Sequence, residues 1–154
     1  MSLQSNPFLH LIDEISRLQG RLKTLFSTFH GYTGLTRFEQ LVLTSVTEAV
    51  VPPTASQIGR SLGVPRQAIQ RAANDLEVAG IIEKTDNPDH KRAPLLIATE
   101  KGRALKKVSD QLALETAEAM LGEIDAEKCL QLSGELHDLR KAIENYLRTT
   151  AAKK

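Results

Sequence analysis

Hydrophobic positions in this chain keep two rhythms: long three-four alternations near both ends, and a shorter, interrupted one in the middle. Near the N-terminus Phe8, Leu11, Ile15, Leu18, Leu22, Leu25 and Phe29 fall on one helical face. Asn6-Pro7 supplies a cap and a first-turn proline, and Gly31 and Gly34 are expected to stop the helix. About 24 residues at 1.5 Å each give roughly 35 Å, which is long for a small globule. Such a helix either bridges a protein or joins two copies of it, although its apolar residues also suit an ordinary core.

The middle of the chain is punctuated by caps and breakers. Thr36 with Glu39 and Thr54 with Gln57 each have the spacing of a capping box. The first opens a helix carrying Phe38, Leu41, Val42, Ser45 and Val46, which Pro52-Pro53 ends. The second opens a short helix with Ile58 and Leu62 as its expected buried pair. Gly63 suits a left-handed turn, and Pro65 suits the start of the next helix. Two helices joined by about three residues that include glycine are the signature of a helix-turn-helix.

That next helix, Pro65 to Ala79 with Gly80 beyond its end, hides Ala68, Ile69, Ala72, Ala73 and Leu76. It leaves Arg66, Gln67, Gln70, Arg71 and Asn74 outward. These are guanidinium donors and bidentate amides, the groups that suit base edges and phosphates. A solvated helix face has the same composition, so position after a capped helix and turn is what favours DNA contact. Thr54 and Ser56, at the start of the preceding helix, combine capping with possible donation to phosphate.

Ile81–Thr85 and Leu95–Ala98 are β-prone, and the polar stretch 86–94 between them predicts a hairpin with a charged tip carrying Lys91 and Arg92. From Thr99 a helix carries Leu105, Val108, Leu112, Thr116, Ala119 and Met120. Gly122 and Asp125 mark a break, and a final helix over 126–148 carries Leu132, Leu136, Leu139, Ile143 and Tyr146. The tail from Thr149 is expected to fray. The fold class is therefore mainly α with a small β-hairpin wing, in the order α-α-α-α-β-β-α-α. Within one 154-residue unit, 35–98 is expected to form the winged helix-turn-helix lobe. Residues 6–30 and 99–148 carry seams that a chain this short cannot easily bury on itself, so a two-fold homodimer is expected.

Composition adds exclusions. Apolar content of 41% and charged content of 25% are ordinary for a globular chain, while 4% aromatics and no Trp argue against a large aromatic-lined pocket. The net charge of +1 announces no nucleic acid. Residues 54–103 nevertheless hold eight Lys/Arg against six Asp/Glu, whereas 104–154 hold eight against nine. No apolar run approaches the roughly 18–20 residues of a membrane span. The N-terminus lacks a secretory pattern, and the lone Cys129 makes no disulfide framework, so a cytoplasmic protein with no membrane partner is expected. His10, His30, His90 and His137 are scattered without metal-ligand spacing. No phosphate-binding glycine loop or nucleophile motif is present, so neither metal, cofactor nor enzymatic activity is expected.

The stretch from Leu35 to Arg103 resembles the MarR family of bacterial winged helix-turn-helix regulators. The residues that carry the resemblance are Leu35-Thr36 with Gln40 and Leu43, Thr54–Gly59, Val64–Arg71, Leu76-Glu77 with Gly80–Ile82, and Leu95–Gly102. Two departures stand out. His90 occupies the position two before the wing arginine where the family usually has an acid, with Asp89 one residue early, so either the loop is shifted or His90 replaces the acid. Pro65-Arg66 replaces the usual serine before the recognition helix.

The resemblance implies a homodimer that places recognition helices in the major groove and wings in the minor groove of a near-palindromic operator on double-stranded DNA. It further implies a repressor relieved by a small lipophilic or aromatic effector. By analogy the effector pocket would be lined by Phe29, His30, Tyr32 and Phe38, residues that equally suit core packing. Some relatives sense oxidants through cysteine, but Cys129 stands early in the last helix, far from the N-terminal place where a sensing cysteine is expected. The alternative from another class is a winged-helix module that binds a protein partner and no DNA.

Overall fold

The computed structural model describes residues 6–151; the side chains of residues 28–30 lie outside that description. Among the described residues the elements run α1 (Pro7–Thr33), α2 (Arg37–Glu48), α3 (Ala55–Leu62), α4 (Arg66–Val78), β1 (Ile82–Thr85), β2 (Leu95–Ala98), α5 (Glu100–Met120) and α6 (Ala126–Ala151). This is the mainly α order with one hairpin that the sequence predicts. The chain divides into two compact units, Met1–Gln111 and Leu112–Lys154, with the boundary inside α5.

Local chemistry explains most element boundaries. Asn6 Oδ1 accepts from the Phe8 and Leu9 N–H groups at 2.9 and 3.3 Å, and so opens α1. Both capping boxes are complete, with Thr36 and Glu39 closing the start of α2 and Thr54 and Gln57 the start of α3. Asp125 Oδ2 accepts from Lys128 N–H at 2.9 Å and opens α6. Three boundaries depart from expectation. Helix α1 passes through Gly31 to Thr33, and the chain turns at Gly34 with φ 68°. A glycine lacking such a φ weakens a helix without ending it. Helix α4 begins at Arg66 with Pro65 as its cap residue, and α6 continues past Arg148 to Ala151.

The core of the first unit is where α2, α3, α4 and the hairpin meet. Leu43, Ile69, Leu76, Ile82, Leu96 and Val42 are its largest fully enclosed side chains. β1 and β2 pair antiparallel with Ile82 opposite Ala98 and Lys84 opposite Leu96. Leu96 N–H also donates to the Pro53 carbonyl at 2.8 Å, fastening the hairpin to the α2–α3 connection. Leu62 is not the buried partner of Ile58. It is 39% exposed, and the enclosed residues of α3 are Ala55, Ile58 and Gly59 in its first turns. The chain reverses at Gly63, so the last turn of α3 is left at the edge of the contact.

One ionic cluster ties α5 to α2. Lys106 is buried, and its Nζ donates to Glu48 Oε1 at 3.2 Å and to an Asp110 carboxylate oxygen. Burial works against the charged ammonium, but hydrogen bonds to Asp110 and Glu48 outweigh it and hold the group above the ordinary lysine range.

The long terminal helices enclose little. On α1, Phe8, Leu18 and Phe26 are exposed, and α6 contains no buried residue at all. Exposed apolar side chains on α6 include Leu132, Leu136, Ile143, Tyr146 and Leu147.

Candidate nucleic-acid interface

The turn between α3 and α4 is close-packed. Gly63 takes φ 64°, a left-handed conformation that side chains disfavour, and Val64 N–H donates to the Gly59 carbonyl at 2.9 Å. A β-carbon on Gly59 would lie 3.0 Å from the Val64 carbonyl oxygen, so the turn admits little else there. Pro65 lends only its carbonyl, which accepts from Ala68 and Ile69 N–H groups. Its missing N–H removes one donor that the start of a helix would otherwise leave without an intrahelical partner.

Helix α4 buries Ile69, Ala72, Ala73 and Leu76, with Ala68 partly enclosed, and presents Arg66, Gln67, Arg71 and Asn74 outward. Gln70 is half-buried. Its Nε2 donates to Asn74 Oδ1 at 3.2 Å, and Lys84 Nζ on β1 donates to the same oxygen at 2.8 Å and to Glu77 Oε2 at 2.5 Å. The far end of α4 is held as well. Lys101 Nζ donates to the Ala79 carbonyl at 2.7 Å, a cation placed at the negative end of the helix dipole. The Thr99 hydroxyl lies 2.7 Å from the Gly80 carbonyl oxygen, to which it donates.

The wing tip folds back on itself through two turns, with His90 N–H donating to Asn87 O at 3.2 Å and Ala93 N–H to His90 O at 2.9 Å. The Asn87 side chain braces both, accepting from Asp89 N–H at 3.1 Å and donating to the Ala93 carbonyl at 2.8 Å. Lys91 and Arg92 project from this frame as exposed side chains. Asp89, His90 and Arg92 form no ion pair with one another among the described residues.

Five of the nine candidate contact residues converge. Thr54, Ser56, Arg66, Gln70 and Arg92 line one cleft between the start of α3, the start of α4 and the part of the wing loop that leads into β2. Thr54 is buried there with its hydroxyl accepting from Gln57 N–H at 3.2 Å, so capping is its observed work, while Ser56 is more open. Gln67, Arg71, Asn74 and Lys91 lie outside that cleft on exposed surface. Among the described residues, Arg66, Arg71, Lys91 and Arg92 have no carboxylate within ion-pair distance. Two of these cations, Arg66 and Arg92, line the cleft beside the starts of α3 and α4 and make it attractive to anions.

Two polar residues of this region escaped the sequence reading. Arg60, exposed on α3, lines a second, open concavity together with Ser56 and Arg66. Lys84 is detectable through strand periodicity, since it stands two residues from the buried Ile82 and so on the face turned to α4. Of the residues suggested for an effector pocket, Tyr32 is 72% exposed and Phe38 is 41% exposed, so neither is core in this chain. The side chains of Phe29 and His30 lie outside the described residues. No group of three or more His, Cys, Asp or Glu among the described residues is arranged to hold a metal ion, and no helix is long and apolar enough to cross a membrane.

Comparison with known proteins gives this geometry its context. The sequence model described as the MarR family matches residues 34–93. An uncharacterized protein of Mycobacterium tuberculosis is 32% identical over 121 residues, which is 79% of this chain and 83% of the relative. Among solved structures, a MarR/EmrR family transcriptional regulator from Acinetobacter sp. ADP1 superposes with a TM-score of 0.79 at 23% identity, over 91% of this chain and 99% of that one. The Bordetella bronchiseptica regulator BpsR, described for regulation of its DNA binding by 6-hydroxynicotinic acid, gives 0.75 at 14% identity over 85% and 98%. These two structural likenesses are of fold. Together with the helix-turn-helix, the wing and the family match, they place the chain: it belongs to the MarR family of winged helix-turn-helix proteins, which are DNA-binding transcriptional regulators and not enzymes.

Proposed function

We propose that the chain acts in the cytoplasm as a homodimeric, sequence-specific repressor released from its operator by a small lipophilic or aromatic effector. The observation that carries the DNA geometry is the convergence of Thr54, Ser56, Arg66, Gln70 and Arg92 on one cleft beside unpaired cations. In this reading residues 35–98 form the DNA-binding lobe. Helix α4 enters the major groove with Arg66, Gln67, Gln70 and Arg71 toward base edges and phosphates. Asn74 stands farther along toward the backbone, while the α3 N-terminus, with Thr54 and Ser56, faces a phosphate. Lys91 and Arg92 reach the neighbouring minor groove, where a thin hairpin fits and negative potential is enhanced.

Residues 6–30 and 99–148 supply the dimer contacts in this reading. The support is that α6 buries nothing within its own chain while exposing leucine, isoleucine and tyrosine side chains. Two-fold symmetry then sets half-sites about one helical turn apart. The effector reading leans on BpsR, whose DNA binding is described as regulated by a small aromatic acid. Phe29, His30, Tyr32 and Phe38 are its candidate lining. An effector releases DNA by binding more tightly to a dimer whose recognition helices are mis-spaced.

The test is a mobility-shift titration of the full chain against random and palindromic duplexes at low salt. Binding that tightens on palindromes supports the reading. No shift on any duplex overturns it and favours a protein-binding module, because even non-specific phosphate contacts register at low salt.

A further inference from the structure

The wing strand carries a cation that touches the recognition helix and not the cleft. Lys84 Nζ lies 2.8 Å from Asn74 Oδ1 and 2.5 Å from Glu77 Oε2. An ammonium group only donates, so the Asn74 amide must turn its oxygen toward Lys84. That same oxygen stands 3.2 Å from Gln70 Nε2. An amide oxygen only accepts, so Gln70 in turn must face Asn74 with its NH₂ group. The two amides would otherwise be free to rotate by half a turn, and a single charge on β1 orients both.

The consequence falls on the edge that Gln70 leaves open. One of its N–H groups is committed to Asn74; the other N–H and Oε1 have no further partner among the described residues. An acceptor beside a donor matches adenine in the major groove, which offers N6–H and N7. Guanine offers two acceptors there, O6 and N7. Were Asn74 turned the other way, Gln70 would spend its oxygen on Asn74 and present two donors, the edge that suits guanine.

We infer that Lys84, acting through Asn74, is a positioning residue that commits Gln70 to adenine. Glu77 holds the Lys84 ammonium in register and makes no base contact itself. This rests on the reading that α4 lies in the major groove.

The experiment is selection from a random-sequence duplex pool by the full-length chain, followed by titration of single-base variants of the enriched site. Wild type, Gln70→Ala, Lys84→Met and the charge exchange Lys84→Glu/Glu77→Lys are compared, with melting curves to check folding. Wild type is expected to prefer adenine over guanine by about tenfold at one position per half-site, a preference that Gln70→Ala abolishes. Lys84→Met should reduce it to about twofold or less. The exchange variant should move it toward guanine at that position alone, an outcome that a merely structural lysine does not produce. If Lys84→Met fails to fold, the exchange variant, which retains the ion pair, decides the matter. Unchanged adenine preference in the folded lysine variants overturns the inference, as does a Gln70-dependent position that selects another base. A wild-type chain that enriches no sequence overturns the DNA reading itself and the inference with it.

Discussion

Gly102 lies so close to Ile81 that a β-carbon built on it would stand 2.1 Å from the Ile81 carbonyl oxygen. That oxygen also accepts from Thr99 N–H at 3.1 Å, so the first turn of α5 is docked against the chain just after α4. Alanine is the better helix former by about 1 kcal/mol, but here the clash is with backbone and decides the sign. Gly102→Ala is expected to destabilise the protein by about 2–3 kcal/mol in urea unfolding. A neutral or stabilising result would mean that α5 moves away at little cost.

Lys106 gives a pH signature. Its folded-state value lies above the ordinary one of about 10.4, so its contribution is complete below that pH and is lost as pH rises through the folded value. Lys106→Met leaves Glu48 and Asp110 largely hydrated, which limits the cost to about 1 kcal/mol. The gap between wild type and variant should stay constant from neutral pH to about pH 9 and close above about pH 10.5. A gap that widens at high pH contradicts the cluster.

The two threonine caps separate stability from binding. Thr36→Ala and Thr54→Ala each remove a capping box and should each cost about 1 kcal/mol in thermal or urea unfolding. Under the proposed interface only Thr54→Ala also weakens DNA binding at temperatures where both variants are folded. Equal binding by the two variants would remove the α3 N-terminus from the contact surface.

Arg92 should report on salt. Arg92→Ala is expected to weaken DNA binding similarly on all operator variants and to reduce the salt slope by about 1. A sequence-dependent loss at major-groove positions would argue that the wing does not lie in the minor groove.

Placing charge on α6 tests the dimer. Leu136 and Ile143 are both at least partly exposed in the single chain, so Leu136→Glu/Ile143→Glu disturbs no core of its own protomer. Sedimentation should show wild type as a dimer that survives dilution and the double variant as a monomer. The wild-type melting temperature should rise with protein concentration, while that of the variant should not. A wild-type monomer would refute the proposed assembly.

Much of this architecture could be read from residues that act on near neighbours. Capping boxes, the left-handed Gly63, the proline breaks and the hairpin are determined within a few positions, and they occur where their chemistry puts them. Misreadings arose where tertiary contact decides. Leu62 has helical spacing from Ile58 but sits past the end of the packed surface, and Gly31 carries no turn because the helix has no reason to stop there. The Lys106–Glu48 pair joins residues 58 positions apart, a link that no local pattern announces. At the candidate site, the outward face of α4 was legible from its periodicity. That the Asn74 amide oxygen is engaged by a wing lysine, which leaves its NH₂ group as the outward donor, required the fold.

The hydrogen bond from Leu96 N–H to the Pro53 carbonyl bears on how such regulators can be recombined. Pro53 immediately precedes the Thr54 cap, and Leu96 is four residues beyond Arg92, so one bond registers the wing against the front of the helix-turn-helix. Both partners are main-chain groups, so a hairpin grafted from a homologue keeps this bond wherever its residue at the Leu96 position is not proline, and a graft of the two helices keeps it from the other side. What limits exchange is the side-chain core instead. Val42 and Leu43 of α2 are enclosed with Ile69, Leu76, Ile82 and Leu96, so a chimera cut between α2 and Ala98 keeps the hairpin's register and loses packing unless those residues are exchanged together.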